Sequence, residues 1–429
     1  MIDIRQIRSD PDAFIRAAQI KRFPVDIRRL LDIDARLLDA QRELQEARTK
    51  QNAAGKEIAG LKGEAKQAAI ENMSGLKARA KELSDAIAEL EPQFSELMLL
   101  VPQPPGEGVP VGEDDTQNVE LRREGEPPQF DFKPKDHVQL GEALGILDIP
   151  RGVKLAGSRN YILRGAGARL HQALMRLAVD KMIAKGYELL SVPVLVNEDV
   201  MEGTGYFPTG RDQAYLCERD GQALVGTAEV PLTAYHSDEI LDEADLPRKY
   251  IAMSTCFRRE AGAAGKDTYG LYRVHYFDKV EQVVLCRNDA EASLKFHQEI
   301  LTNAEDVMRA LELPYRVVNV CTGDLGLGQL QKLDIETWMP SRGAYGETHS
   351  ASRFHEFQAR RLNIRYRPAG DSGDGGRPQF VHTLNNTVIA SPRVLIPLLE
   401  VHQNVDGSVT IPPPLRPYMG GMEHIGQVG

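Results

Sequence analysis

Three words in the second half of the chain carry side chains suited to anion chemistry. The first is Phe257-Arg258-Arg259-Glu260-Ala261-Gly262, followed by Arg273-Val274-His275-Tyr276-Phe277-Asp278-Lys279-Val280-Glu281. The second begins at Glu347 and contains Ser350, and the third is Asn385-Asn386-Thr387-Val388-Ile389-Ala390-Ser391-Pro392-Arg393. Arginine presents a planar fork of donors that matches carboxylate and phosphate oxygens, which makes Arg258 and Arg393 candidates for gripping a polyanion. Carboxylate and hydroxyl oxygens are hard ligands of the kind a divalent cation takes. The chain has no GxxxxGK[ST] phosphate loop and no Rossmann fingerprint, so any nucleotide must be held in another way. Taken one at a time, such residues are more often surface charges, solvated acids or, for Phe277, a core aromatic.

The surrounding words decide the matter. The first and third resemble motifs 2 and 3 of the class II aminoacyl-tRNA synthetases, and their context is similar to the seryl-tRNA synthetases from the N-terminus to Tyr418-Met419-Gly420-Gly421. The resemblance implies ATP-dependent ligation of L-serine to tRNA(Ser) through a seryl-adenylate. In that reaction two anions meet while charge grows on a five-coordinate phosphorus, so positive groups and metal must be positioned beforehand. Arg258 would hold the α-phosphate and the amino-acid carboxylate, and Arg393 the γ-phosphate of a bent ATP. Phe277 would stack on adenine, with Glu260 and Val274 also on the nucleotide. Thr227, Glu229, Glu281 and Thr387 match the serine pocket, Thr227 and Glu229 facing the amino group and Glu281 and Thr387 the hydroxyl. Glu347 and Ser350 match the pair that holds Mg2+ against the phosphates. The intervening Ala261-Gly262-Ala263-Ala264-Gly265-Lys266-Asp267-Thr268, flexible by composition, resembles the segment that touches the tRNA acceptor end.

One word departs from the family. Its usual form is Glu-(Ile/Val)-Ser-Ser-Cys-Ser-Asn-Phe, whereas this chain reads Glu347-Thr348-His349-Ser350-Ala351-Ser352-Arg353-Phe354. If His349 and Arg353 face the phosphates, they add bulk and positive potential there. Ordinary drift outside the pocket, a specialised paralogue with another amino acid or acceptor, and a catalytically inactive RNA-binding regulator are the readings left open.

The elements that must position these groups are legible from periodicity. Leu30, Ile33, Leu37, Ala40, Leu44, Ala47, Ala54, Ile58 and Leu61 alternate spacings of three and four, interrupted by Gln51, and Leu76, Ala80, Leu83, Ile87, Leu90, Phe94 and Leu97 form a second seam. Between them a softer stretch around Gly63 and Asn72-Met73-Ser74-Gly75 is where the chain can reverse. The expectation is an antiparallel helical hairpin over about 27–99, roughly 45–50 Å long at 1.5 Å per residue. Its interleaved charges read as a solvated surface; in the family it resembles, the arm binds tRNA. The expected division is an N-terminal domain over 1–100, a Pro/Gly-rich linker over 101–128 built on Val101-Pro102-Gln103-Pro104-Pro105-Gly106, and a catalytic domain over 129–429.

Within that last part, the helix near Leu170 to Lys185, the run Glu188-Leu189-Leu190-Ser191-Val192-Pro193 and β-rich words such as Gln282-Val283-Val284-Leu285 predict an α+β domain on a mostly antiparallel sheet. The helix-strand-proline junction resembles motif 1, which implies a homodimer. Length, 429 residues, and 42% apolar content suit two or three packed domains. No stretch of about 18 apolar residues occurs, and the N-terminus lacks the order of a signal peptide, so no membrane contact and a cytoplasmic location are expected. Four scattered cysteines indicate neither disulfides nor a zinc knuckle. A formal charge of −10 requires that any RNA contact rest on local basic patches.

Overall fold

The computed structural model describes residues 1–58, 60–262, 269–369 and 376–426, and they divide into two compact units, Ile2–Pro104 and Pro105–Gly429. In the first, short helices Ile4–Ser9 and Pro11–Ile20 precede two long ones, Ile27–Ile58 and Gly63–Leu100. At 1.5 Å per residue their 32 and 38 residues span roughly 48 and 57 Å. Ile33 and Leu37 pack against Leu90, with Ile87, Phe94 and Leu97 alongside, and Ala40 and Leu44 against Leu83. The heptad expectation is met. The chain reverses between Ile58 and Gly63, at the first of the two spots expected, and the second, Asn72–Gly75, lies inside the second helix. There the methyl end of Met73 packs opposite Gly55, and helix pairing overrides the weak local propensity of a short polar run.

The second unit is built on an eight-stranded sheet. Its order is Val119–Glu124, Tyr315–Asn319, Gln331–Met339, Ala344–His355, His382–Ser391, Tyr276–Cys286, Arg248–Phe257 and Glu188–Leu189. Every pairing is antiparallel except the last, as the alternating patterns predict. Helices Gly165–Ala184 and Ala290–Ala310 cover one face, where Leu170, Leu174, Ile300 and Leu301 join Val280, Val284 and Leu384 in the main core. Gln282 and Asn386 also point to that face, each donating to the carbonyl of Ile300, at 2.9 and 2.7 Å. Alternation along the strands sends Val283, Leu285, Tyr250 and Ala252 to the opposite face, into a second cluster. Further along that opposite face the sheet opens into a cleft.

Candidate active site

The cleft, with the solvent at its mouth included, spans about 850 Å³. Ten of the eleven residues singled out in the sequence line it: Glu229, Arg258, Glu260, Val274, Phe277, Glu281, Glu347, Ser350, Thr387 and Arg393. The eleventh, Thr227, is buried behind the wall, where its Oγ1 accepts from the Glu229 N–H at 3.1 Å. Residues 263–268, with Lys266, lie outside the described residues.

Two β-bulges bring these groups together. Glu347 and Ser350 are three apart, so an unbroken strand would send them to opposite faces. The pairing of Gln331–Met339 with Ala344–His355 skips Thr348, which re-phases the strand, and both side chains enter the cleft. The same device between Tyr276–Cys286 and His382–Ser391 skips Val388 and turns both Thr387 and Ala390 inward.

At one end, Arg258 lies over the ring of Phe277, 5.1 Å from its centroid, a cation–π contact that orients the guanidinium. Glu260, in the left-handed region at φ 52°, accepts from Arg273 at 2.9 Å. At the other end, Arg393 donates to the carbonyls of Tyr272 and Glu347, both at 3.0 Å. Its guanidinium stands 4.5 Å from the centroid of Tyr272, and Arg342 lies 4.2 Å from the same ring. Gly346 leaves room for that ring: a Cβ there would meet Tyr272 Cε2 at 3.0 Å. Against the desolvation of the cleft, the charges of Arg393, 3.8 Å away, Lys332 and Arg258 hold the Glu347 carboxyl below its usual range.

The floor is the driest part. Glu281 is 2% exposed and ion-paired with Lys279, which also donates to Thr387 at 3.5 Å. Burial pushes the Glu281 carboxyl up, and Lys279 opposes the shift. Glu229 accepts from Gln358 at 2.8 Å and is pushed up to about 7 by desolvation and then by repulsion from Glu281. Two carboxylates against one lysine leave a deficit of positive charge that a substrate ammonium would fill.

The donor set also fits a divalent cation. Glu347 and Ser350 supply hard oxygens, and the cross-strand partner of Ser350, Asp334, has a buried Oδ1 without a hydrogen-bond partner. Among the described residues no group of three or more His, Cys, Asp or Glu could hold a metal. Such a set suits Mg2+, which keeps waters and shares its sphere with phosphate oxygens, better than a closed protein cage.

Sequence reading missed several lining residues: Tyr206, Tyr272, Lys279, Gln329, Ser352 and Asn385. Lys279, Ser352 and Asn385 stand two residues from Glu281, Ser350 and Thr387, so period-two alternation was a signal for them. Tyr206 and Gln329 come from loops with no such signal.

The departing residues point the other way. His349 is 1% exposed, its Nε2 bonded to the Val388 carbonyl at 3.1 Å and its Nδ1 to Thr348 Oγ1 at 2.8 Å. Burial lowers its pKa to about 4, so it is neutral near pH 7. Ala351 belongs to the core beneath the helices, and Arg353 donates to Gln331 at 3.2 Å. The condition under which His349 and Arg353 would add positive potential at the phosphates is not met, and the reading of drift outside the pocket fits instead, because regular alternation after the Thr348 bulge turns 349, 351 and 353 to the helix-covered face.

Comparison with known proteins agrees with this geometry. The family model for the seryl-tRNA synthetase N-terminal domain matches residues 1–105, and that for the tRNA synthetase class II core domain (G, H, P, S and T) matches residues 215–402. A serine–tRNA ligase of Deinococcus radiodurans is 44% identical over 100% of this chain and 99% of its own, and one of Symbiobacterium thermophilum is 44% identical over 97% and 98%. Among solved structures, seryl-tRNA synthetase from Pyrococcus horikoshii complexed with ATP superposes with a TM-score of 0.92 at 38% identity, covering all of both chains. The cytoplasmic serine–tRNA ligase of Naegleria fowleri in complex with AMP gives 0.86 at 27% identity over 100% of this chain and 99% of the other. With its helical arm, its antiparallel sheet and relatives matched along its whole length, the chain belongs to the seryl-tRNA synthetase family.

Proposed function

We propose that the protein ligates L-serine to tRNA(Ser) in two steps within this cleft. In the first, a serine carboxylate oxygen attacks the α-phosphorus of ATP and the bond to the β-phosphate oxygen breaks, giving seryl-adenylate and pyrophosphate. In the second, the 3′-terminal hydroxyl of the tRNA attacks the carbonyl, AMP leaves, and its phosphate takes the hydroxyl proton. The observation that carries the reading is the convergence, on one sheet face, of residues drawn from four separated words.

Arg258 bridges the α-phosphate and the serine carboxylate, its planar fork suited to both. Phe277 stacks on adenine beside Val274, Glu260 touches the nucleotide, and Arg393 takes the γ-phosphate. Glu229, with Thr227 behind it, receives the ammonium; Glu281 and Thr387 meet the hydroxyl. A pocket built to satisfy a hydroxyl can reject analogues lacking it by about 10⁴ or more, since its own buried polar groups would be stranded. Glu347 and Ser350 would hold Mg2+, which neutralises charge on the phosphates when bound. The arm supplies the tRNA contact: Arg48, Lys50, Lys56, Lys62, Lys66, Lys77 and Lys81 are exposed along its outer half, placed to meet phosphates.

Pairing into a homodimer is supported by large apolar side chains left exposed at the parallel edge of the sheet and nearby, among them Ile183, Leu189, Tyr235 and Met253. No helix among the described residues is long and apolar enough to cross a membrane, and the site of action proposed is the cytoplasm. Since His349, Ala351 and Arg353 face the helices, they carry no argument for another amino acid. The test is amino-acid-dependent ATP–pyrophosphate exchange across all twenty amino acids. Serine alone is expected to support strong exchange; alanine, glycine or threonine exceeding it would overturn the pocket assignment.

A further inference from the structure

The helix Gly165–Ala184 brings His171 onto a single rung of the sheet, on the face opposite the cleft. In that rung Thr255, Asp278 and Ser391 are direct partners on three adjacent strands. Thr255 Oγ1 donates to Asp278 Oδ1 at 2.7 Å, and His171 bridges Asp278 Oδ2 and Ser391 Oγ, each at 2.8 Å. The hydrogen bond from His171 holds the Asp278 carboxyl below its usual range, so that group only accepts. Nε2 of His171 therefore donates to it, and Nδ1 and the Ser391 hydroxyl share the second bond. Thr255, Asp278, His171 and Ser391 are thus joined in one hydrogen-bonded chain.

The order Ser–His–Asp is that of a hydrolytic triad, but Ser391 is 0% exposed and packed under the helix. No substrate meets it, and a nucleophilic role is excluded. What the rung adjoins is more telling. Successive residues of a strand face opposite ways, so while Asp278 and Ser391 point to the helix, their neighbours Phe277, Lys279, Ala390 and Pro392 line the cleft, with Arg393 next in line.

We propose that His171 is a positioning residue for ATP: by pinning this rung from the far side of the sheet, it fixes the span between Phe277 and Arg393, the groups that grip the two ends of the nucleotide. The inference rests on the reading of the cleft given above. A helix that merely packed here would need only apolar contact. His171 instead ties two strands to each other and to itself through directed bonds, and those two strands carry the opposite ends of the proposed ATP site.

The test uses the full-length protein with His171→Phe, His171→Gln and Ser391→Ala. Phenylalanine fills the ring's volume without hydrogen bonds, glutamine keeps one donor and one acceptor, and Ser391→Ala removes a single hydroxyl. Exchange is measured with ATP varied and with serine varied, and binding of a non-hydrolysable ATP analogue is measured in parallel. Since a misplacement of about 1 Å can lower a rate about 10²-fold, His171→Phe is expected to raise KM for ATP roughly tenfold while KM for serine stays within about twofold. His171→Gln should recover at least half of the shift on a logarithmic scale, and Ser391→Ala should weaken the analogue by roughly threefold. An ATP KM within about twofold of the parent in both His171→Phe and Ser391→Ala overturns the proposal. So does an equal rise in both Michaelis constants with no recovery by glutamine, which would reduce His171 to packing. A parent protein that binds the analogue but gives no serine-dependent exchange overturns the reading of the cleft instead, and the binding comparison still decides the role of His171.

Discussion

The helical arm and the cleft handle charge in opposite ways. In the arm, apolar residues form the seam and charges stand outside: Arg79 and Glu43 pair across the helices at 2.6 Å with both side chains about half exposed. Such pairs contribute about 0–1 kcal/mol, so each charge can exchange its partner at little loss, as the proposed tRNA contact requires. In the cleft the charges are inside. Glu281 and Lys279 are 2% and 7% exposed, and removing one member of a buried pair costs about 3–5 kcal/mol. The arm holds dispensable charges, whereas the cleft holds interdependent ones.

The comparison is put under most strain by Arg258→Ala. Removing one donor aimed at developing charge lowers rate by about 10²–10³, and exchange is expected to fall at least that far while circular dichroism shows an intact fold. An exchange rate within about threefold of the parent would take Arg258 out of the chemistry. Deleting 35–97 with a short linker tests the other side. Serine-dependent exchange should persist, KM for tRNA should rise by more than about tenfold, and charging by the parent should weaken steeply with salt as phosphate contacts do. Unchanged charging after deletion would return the arm to a spacer.

A pH profile sharpens the contrast within the cleft. Glu229 ionises near 7 in the folded chain against 4.5 for an ordinary glutamate. Its raised pKa means that the folded state holds a proton the unfolded state has released, so this group's contribution to stability falls as pH rises through that window and levels off above it. A serine ammonium favours the ionised form. KM for serine should therefore decrease several-fold between about pH 6 and pH 8, and Glu229→Gln should flatten the dependence. A flat profile in the parent would separate Glu229 from the amino group. The smallest functional effect is expected from His349→Ser with Arg353→Asn. Because both face the helices, KM for ATP and serine preference should move by less than about twofold, while the loss of two buried hydrogen bonds at His349 should lower stability by about 1–3 kcal/mol in a urea titration.

The two regions also differed in how far they could be read from sequence. The heptad seam shows the arm directly, because burial at spacings of three and four is the arm's own energetics; of the two spots read for the reversal, the one at Gly63 adjoins it, and Met73 packs opposite Gly55 where the other stays helical. The main strands follow from alternation in the same way. The cleft was legible as a set of words but not as a surface. Period-two counting separates Glu347 from Ser350 and Thr387 from Ala390, and only the bulges at Thr348 and Val388 unite them. The bulge at Thr348 also decides that His349, Ala351 and Arg353 lie beneath the helices. A bulge leaves no mark in composition, so the side on which a departing residue falls was hidden. Tyr206 reaches the cleft from a loop, where no periodicity applies.

Gly346 gives the cleft a property that none of its charged residues has. Any side chain at this position would press on Tyr272 Cε2, whose ring has Arg393 stacked on it. A methyl there would stand 3.0 Å from that ring, so the ring must give by a few tenths of an ångström, with every proposed phosphate-binding group still present in the sequence. On the proposed reading, grip on the tail of the triphosphate depends on an atom that is missing, and substitution from alanine to valine at 346 is expected to loosen it in steps while leaving the proposed serine floor, with Glu229, Glu281 and Thr387, untouched.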